Sequence, residues 1–201
     1  MSTPTTSLPR NALATYPEER INAYLTTADT NREAGHVHIR VLSSSKQTVK
    51  VKDATKEKFE ELSATSFPEE FPYVAKSVFA FVEIDGKDVC FFGMIVHVFA
   101  SDSPEPNRRY VYLPYLDSVD FFPPKQSRTQ VYYGLLIAYK DYVAKRGFAA
   151  VNLWACPPGK NKDYIFNLSS TWAKDTHTTA SNTVVQDNAG QCSCSKSCYR
   201  V

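Results

Sequence analysis

No sign of charge predominates in this chain: 23 Lys and Arg face 21 Asp and Glu, a formal balance of +2. Such a surface creates no long-range field that would argue for nucleic acid or an acidic membrane as partner. Long apolar runs are absent too. None approaches the ~20 residues of a spanning helix, and the opening MSTPTTSLPRNAL lacks the basic flank and apolar stretch of a secretory signal. A soluble, intracellular protein is therefore expected. The five cysteines are an odd set: Cys90 and Cys156 lie in apolar surroundings, whereas Cys192, Cys194 and Cys198 crowd the last ten residues. That distribution is no disulfide framework. What the chain does have is the material of a core, 43% hydrophobic and 13% aromatic residues. Its 201 residues suffice for one domain, or one domain and a tail.

Leu13, Ile21, Tyr24 and Leu25, set among Glu and Arg, read as a short surface helix. HVHIRVL alternates as a half-buried strand does, with Val37, Ile39 and Val41 on one face. DATKEKFEEL (53–62) suits a helix capped by Asp53, and FPEEFPY cannot continue it, because each proline biases its predecessor away from helix. VAKSVFAFVEI and DVCFFGMIVHVF flank Asp85-Gly86-Lys87, a hairpin signal, since a tight turn needs positive φ and glycine supplies it without strain. RYVYLPYLDSVDFF reads as another strand, with Pro114 marking an edge or a bulge.

From Ser127 to Arg146 the period becomes helical: Val131, Leu135, Tyr139, Tyr142 and Val143 share a stripe, Ser127 fits an N-cap and Gly147 a C-cap. FAAVNLWA (148–155) returns as a strand, so strand, helix and strand form a crossover unit of the kind that builds a parallel pair. Ligands gather at the carboxyl ends of such strands. After Phe166 the composition turns to Ser, Thr, Asn, Asp and Gly without periodicity, and the tail reads as disordered. The fold class is α/β in the α+β sense: a central mixed sheet flanked by helices.

Three segments carry more than pattern: RRYVYLPYLDSVDFFPP (108–124), SRTQVYYGLLIAYKDYVAKRGF (127–148) and LWACPPGKNKDYIF (153–166). Together with FPEEFPY and DVCFFGM upstream, they resemble the acetyltransferase domain of the CREB-binding-protein type of histone acetyltransferase, collinearly from about Leu8 to Phe166. YLDSV, then RT, then WACPP, in that order and spacing, is the specific part of the signature.

The resemblance implies an acetyl-CoA-dependent acyltransferase core. On it, Leu116, Asp117, Ser118, Arg128 and Thr129 contact the cofactor, with Tyr132, Cys156 and Pro158 near it. Trp154 would shape the tunnel for the substrate lysine and Tyr164 would line the site; these two are the candidate catalytic residues. The physics agrees with such a cofactor. A Ser-capped helix start at Ser127 to Thr129 offers backbone N–H groups and a positive dipole end to a pyrophosphate, Arg128 adds a fixed charge, and Leu116 to Ser118 end a strand whose backbone can pair with pantetheine amides.

Each residue also has a plainer reading: Arg128 as a solvated side chain, Asp117 with Ser118 as a turn pair, Trp154 as core. Cys156, followed by Pro157 and Pro158 and without a recognisable His partner, is read as structural rather than nucleophilic. His36 and His38, two apart on a strand, have the spacing of metal ligands, but with no third convergent ligand visible in the sequence they read as ordinary strand histidines. The tail cluster CSCSKSC supplies three thiols without a partner motif. No metal is expected.

Departures from the family pattern leave two readings open. The family's domain continues past the position matching Phe166, through a segment with the tyrosine taken to protonate the departing thiolate; here Trp172 is followed by Ala173. The C-terminal half of the domain is thus expected to be missing, with 1–7 a disordered N-terminus, 8–166 a partial acetyltransferase domain and 167–201 a tail. Gly134 replaces a usual helix residue at a cost of ~1 kcal/mol relative to Ala. One reading is a nuclear histone and protein-lysine acetyltransferase in transcriptional coactivation, with histones as substrates and transcription factors as partners. The other is an inactive remnant that binds CoA or a protein.

Overall fold

The computed structural model describes residues 5–28, 35–62, 66–119, 122–154, 165 and 196–200. Its centre is a six-stranded sheet in sequential order: β1 (Val37–Lys50), β2 (Glu70–Ile84), β3 (Lys87–Phe99), β4 (Tyr110–Ser118), β5 (Ala150–Trp154) and β6 (Lys196–Arg200). All neighbours are antiparallel except β4 and β5, which run parallel from Tyr110↔Ala150 to Leu113↔Leu153. The helix between them, α3 (Arg128–Ala144), is the crossover that a parallel pair requires. Two further helices are α1 (Ala12–Ala28) and α2 (Asp53–Leu62). Among the described residues no helix is long and apolar enough to cross a membrane.

The local signals work as their chemistry requires. Asp85 and Gly86 both have positive φ, 49° and 71°, and turn β2 into β3. Pro114 sits where the β3–β4 register slips between Ile95↔Tyr115 and His97↔Tyr112, a bulge within a strand that has neighbours on both sides. Val131, Leu135, Tyr139, Tyr142 and Val143 are all buried. At the end of α3, Gly147 adopts φ 77°, its N–H donates to the Ala144 carbonyl, and Phe148 N donates to Val143 O. Asp53 is the first residue of α2 and places its charge in the first turn.

Three expectations need correction. The segment from Leu13 to Leu25 is no short surface helix: α1 runs 17 residues, is capped by Asn11, whose Oδ1 accepts the Ala14 N–H at 3.0 Å, and buries Leu13, Ala14, Ile21 and Leu25. It packs on α3 and β1 because Gly134 of α3 lets it approach: a Cβ there would stand 2.7 Å from Ile21 Cδ1. The propensity lost at Gly134 is thus offset by close helix packing. Second, Ser127 does not cap α3. A 3-10 turn (Lys125–Ser127) leads into the helix, Ser127 itself is helical at φ −82° and ψ −11°, and its side chain makes no capping bond. Third, the tail is not wholly without regular structure, since Lys196–Arg200 pairs antiparallel with β5 from Trp154↔Lys196 to Ala150↔Arg200. The CSCSKSC thiols and the remaining tail lie outside the described residues or side chains.

Cys90, on β3, is a free thiol, and burial pushes its proton affinity up to a pKa of about 11, so it is inert at neutral pH.

Candidate functional site

Among the described residues the parallel register runs to Leu113↔Leu153, whereas β4 continues to Ser118, so Leu116, Asp117 and Ser118 form an overhang beyond the described pairing with β5. On the other side this overhang is held by β3, through Met94↔Leu116, Gly93↔Asp117 and Phe92↔Ser118. Val119 N donates to Phe91 O at 3.0 Å and prolongs the support by one residue.

Asp117 ties the strand end to a remote part of the chain. Its Oδ1 accepts the Ser118 N–H and its Oδ2 accepts the Ile165 N–H, each at 2.9 Å. Ile165 then lies over Gly93: a Cβ on Gly93 would be 3.4 Å from Ile165 Cδ1 and 2.8 Å from the Phe79 ring. Glycine is needed at that point of β3 because the Phe79 side chain crosses it.

The start of α3 is fastened to the same strand end. Tyr132 donates its hydroxyl to the Val119 carbonyl at 2.5 Å, and its ring stacks on Phe91 at 5.8 Å and 13°. Phe122 meets Phe91 edge-on at 5.0 Å. Arg128 and Thr129 sit one helical turn before Tyr132, so the two groups named from the sequence meet at one end of the crossover unit. Thr129, Lys125 and Gln126 are exposed, and Lys125, three residues before Arg128, adds a second cation to this turn.

The donor set differs from the one foreseen. Ser127 N donates to Pro124 O at 3.0 Å and Arg128 N to Lys125 O, so these two N–H groups are already engaged by the 3-10 turn. The positive end of the helix and the cations Lys125 and Arg128 are what the site presents to an anion. Tyr132 is a bracket between helix and strand. Cys156, Pro158 and Tyr164 lie outside the described residues, as does the Trp154 side chain, although the Trp154 backbone closes β5.

A second polar concentration was not legible as a unit in the sequence. Glu18 of α1 accepts from Arg40 Nη1 at 2.6 Å and Ile39 N at 2.8 Å through Oε2, and from Arg10 at 2.7 Å through Oε1. Arg40 is 2% exposed and also donates to Thr5 O and Ile39 O. His36 and His38 lie beside this pair, at a cavity of about 450 Å³. One signal was present: Glu18 falls in register with the buried Ala14, Ile21 and Leu25, and a carboxylate on an apolar helical stripe requires a buried partner.

An α+β domain in which the overhanging end of one strand of a parallel pair is bolted to the start of the crossover helix is a fold class that presents a ligand site at that end. The histone acetyltransferase domain KAT3 matches residues 21–178, and the chain belongs to that family. It is 45% identical over 162 residues to the protein cbp-1 of Caenorhabditis elegans, covering 80% of this chain and 8% of that protein. Identity is 40% over 179 residues to the histone acetyltransferase HAC4 of Arabidopsis thaliana, 80% of this chain and 12% of the relative. It is 34% over 186 residues to the probable histone acetyltransferase HAC-like 3 of Oryza sativa subsp. japonica, 83% and 14%. The chain therefore spans about a tenth of the length of these relatives.

Proposed function

We propose that residues 8–166 supply the cofactor-binding part of a lysine acetyltransferase, which moves the acetyl group of acetyl-CoA to the ε-amine of lysine in histones and other nuclear proteins. The observation that carries this reading is the junction of the β4 overhang with the start of α3 in a chain of the KAT3 family. Leu116 to Ser118, beyond the described pairing with β5, would hold the pantetheine arm through their strand backbone. Lys125, Arg128 and the Thr129 hydroxyl, at the positive end of α3, would hold the pyrophosphate. The residues present fit such a group: an extended strand end, two cations and an accessible helix start.

Acetyl-CoA when bound supplies the activated acyl group. The chain's own part is to hold and desolvate. Asp117, with both oxygens on backbone N–H groups, fixes the strand end against residue 165 and acts by position. Trp154 and Tyr164 are assigned to the lysine entrance, where desolvation would favour the neutral amine that attack requires. Cys156 and Pro158, in the WACPP motif that resembles the family's, are assigned near the cofactor. No step needs a covalent enzyme intermediate. Nuclear location and a role in transcription follow from the same reading.

The test is transfer of label from acetyl-CoA to a histone peptide, with Arg128→Ala as control. Label in the peptide that falls about tenfold or more in the variant, through loss of a charge-assisted phosphate contact, supports the assignment. Transfer undiminished by Arg128→Ala refutes it.

A further inference from the structure

We propose that Glu18, His36 and His38 form a binding site for one divalent transition-metal ion of the zinc class, which pins α1 to the start of β1. The ligand atoms of the three residues lie within 4.8 Å of one another, and the two imidazole rings are 4.7 Å apart between centroids. The third convergent group that the sequence did not reveal comes from α1, 18 residues before His36 in the chain.

His38 gives this cluster the character of a site. It is 9% exposed, and its Nδ1 has no hydrogen-bond partner among the described residues. A buried imidazole nitrogen left unsatisfied costs free energy, and a metal–nitrogen bond removes that cost. The cavity beside it, about 450 Å³ and bordered by Asn22, His36, His38 and Glu18, has room for an ion with a water in the remaining coordination position. Metal–ligand bonds near 2.0 to 2.1 Å set tetrahedral edges of about 3.3 Å, so the set must contract from its present spacing. His36 is exposed and swings most easily.

Charge decides where the ion sits. Glu18 Oε2 belongs to the buried Arg40 and the Ile39 N–H, and that half of the carboxylate remains theirs. Oε1 pairs with Arg10, whose side chain is 53% exposed and held to it by one contact. The ion takes the place of the Arg10 guanidinium opposite Oε1, and Arg40 orients the carboxylate from behind. Two imidazoles and one carboxylate oxygen select zinc, cobalt, nickel or copper over calcium or magnesium, which prefer all-oxygen sets. Arg10 thus acts as an internal competitor for the metal.

The experiment uses the full chain with Cys192, Cys194 and Cys198 replaced by Ser, so that tail thiols cannot supply ligands. Co²⁺ is titrated by visible absorption and Zn²⁺ by calorimetry. Expected are one saturable site, a loss of affinity of about tenfold or more in His36→Ala and in His38→Gln, and tighter binding in Arg10→Ala. The exposed Arg10 and His36 variants keep their fold, which circular dichroism checks. No saturable site in the cysteine-free chain, binding indifferent to both histidine variants, or affinity unchanged by Arg10→Ala would each overturn the assignment.

Discussion

Removing the negative half of the Glu18–Arg40 pair isolates a buried guanidinium, and the size of the effect follows from the geometry. The side chains of Arg40 and Glu18 are 2% and 5% exposed, with 2.6 Å between Arg40 Nη1 and Glu18 Oε2. In Glu18→Leu the Arg40 charge keeps the Thr5 and Ile39 carbonyls but loses its counter-ion, and Ile39 N loses its acceptor. Breaking one side of such a pair costs about 3 to 5 kcal/mol. With a urea m-value of about 2 kcal/mol/M, the unfolding midpoint falls by about 1.5 to 2.5 M. The double variant Glu18→Leu with Arg40→Met replaces the pair by apolar volume and regains most of that loss, because desolvation of both ions disappears with their attraction. Metal-free urea titrations followed by tryptophan fluorescence and far-UV circular dichroism measure both. A single variant shifted by less than about 0.5 M, or a double variant no more stable than the single, would refute the reasoning.

Gly93→Ala drives a methyl against the Phe79 ring at 2.8 Å in a strand with neighbours on both sides, and should cost about 1 to 3 kcal/mol in urea unfolding; an unchanged midpoint would mean that the ring yields freely. His97, between the rings of Tyr73 at 4.3 Å and Tyr112 at 6.0 Å, has its pKa lowered by burial. The fold therefore holds it neutral, the unfolded chain takes up the proton first, and stability present above about pH 6.5 declines as the pH falls from there toward the lowered folded value. His97→Gln should remove that part of the slope between about pH 7.5 and 5; an identical slope in both chains contradicts the assignment.

The hairpin at Asp85-Gly86, the bulge at Pro114 and the Gly147 terminus were legible because each rests on one local steric fact. The stripe of α3 was legible because one period governs it. The depth of α1 was not, since Glu18 and Asn22 break its apolar face and only their partners, Arg40 and the Val37 backbone, explain them. The start of α3 was misread for a related reason: Ser127 has the composition of a cap, but the turn entered from Pro124 places it inside the helical region before it can serve as one. At the candidate site, Leu116 to Ser118, Arg128 and Thr129 were named from motif resemblance, whereas the overhang of β4 past β5 and the Tyr132–Val119 bond needed the three-dimensional register.

The central claim is that the overhanging end of β4 and the first turn of α3 receive the cofactor together. Backbone-resolved NMR of the labelled chain titrated with CoA examines it most directly. The account predicts saturable shifts concentrated at Leu116 to Val119 and Lys125 to Tyr132, abolished by Asp117→Ala with Arg128→Ala. Shifts centred on the Glu18 and His38 cavity instead, or saturation that survives the double substitution, would contradict it.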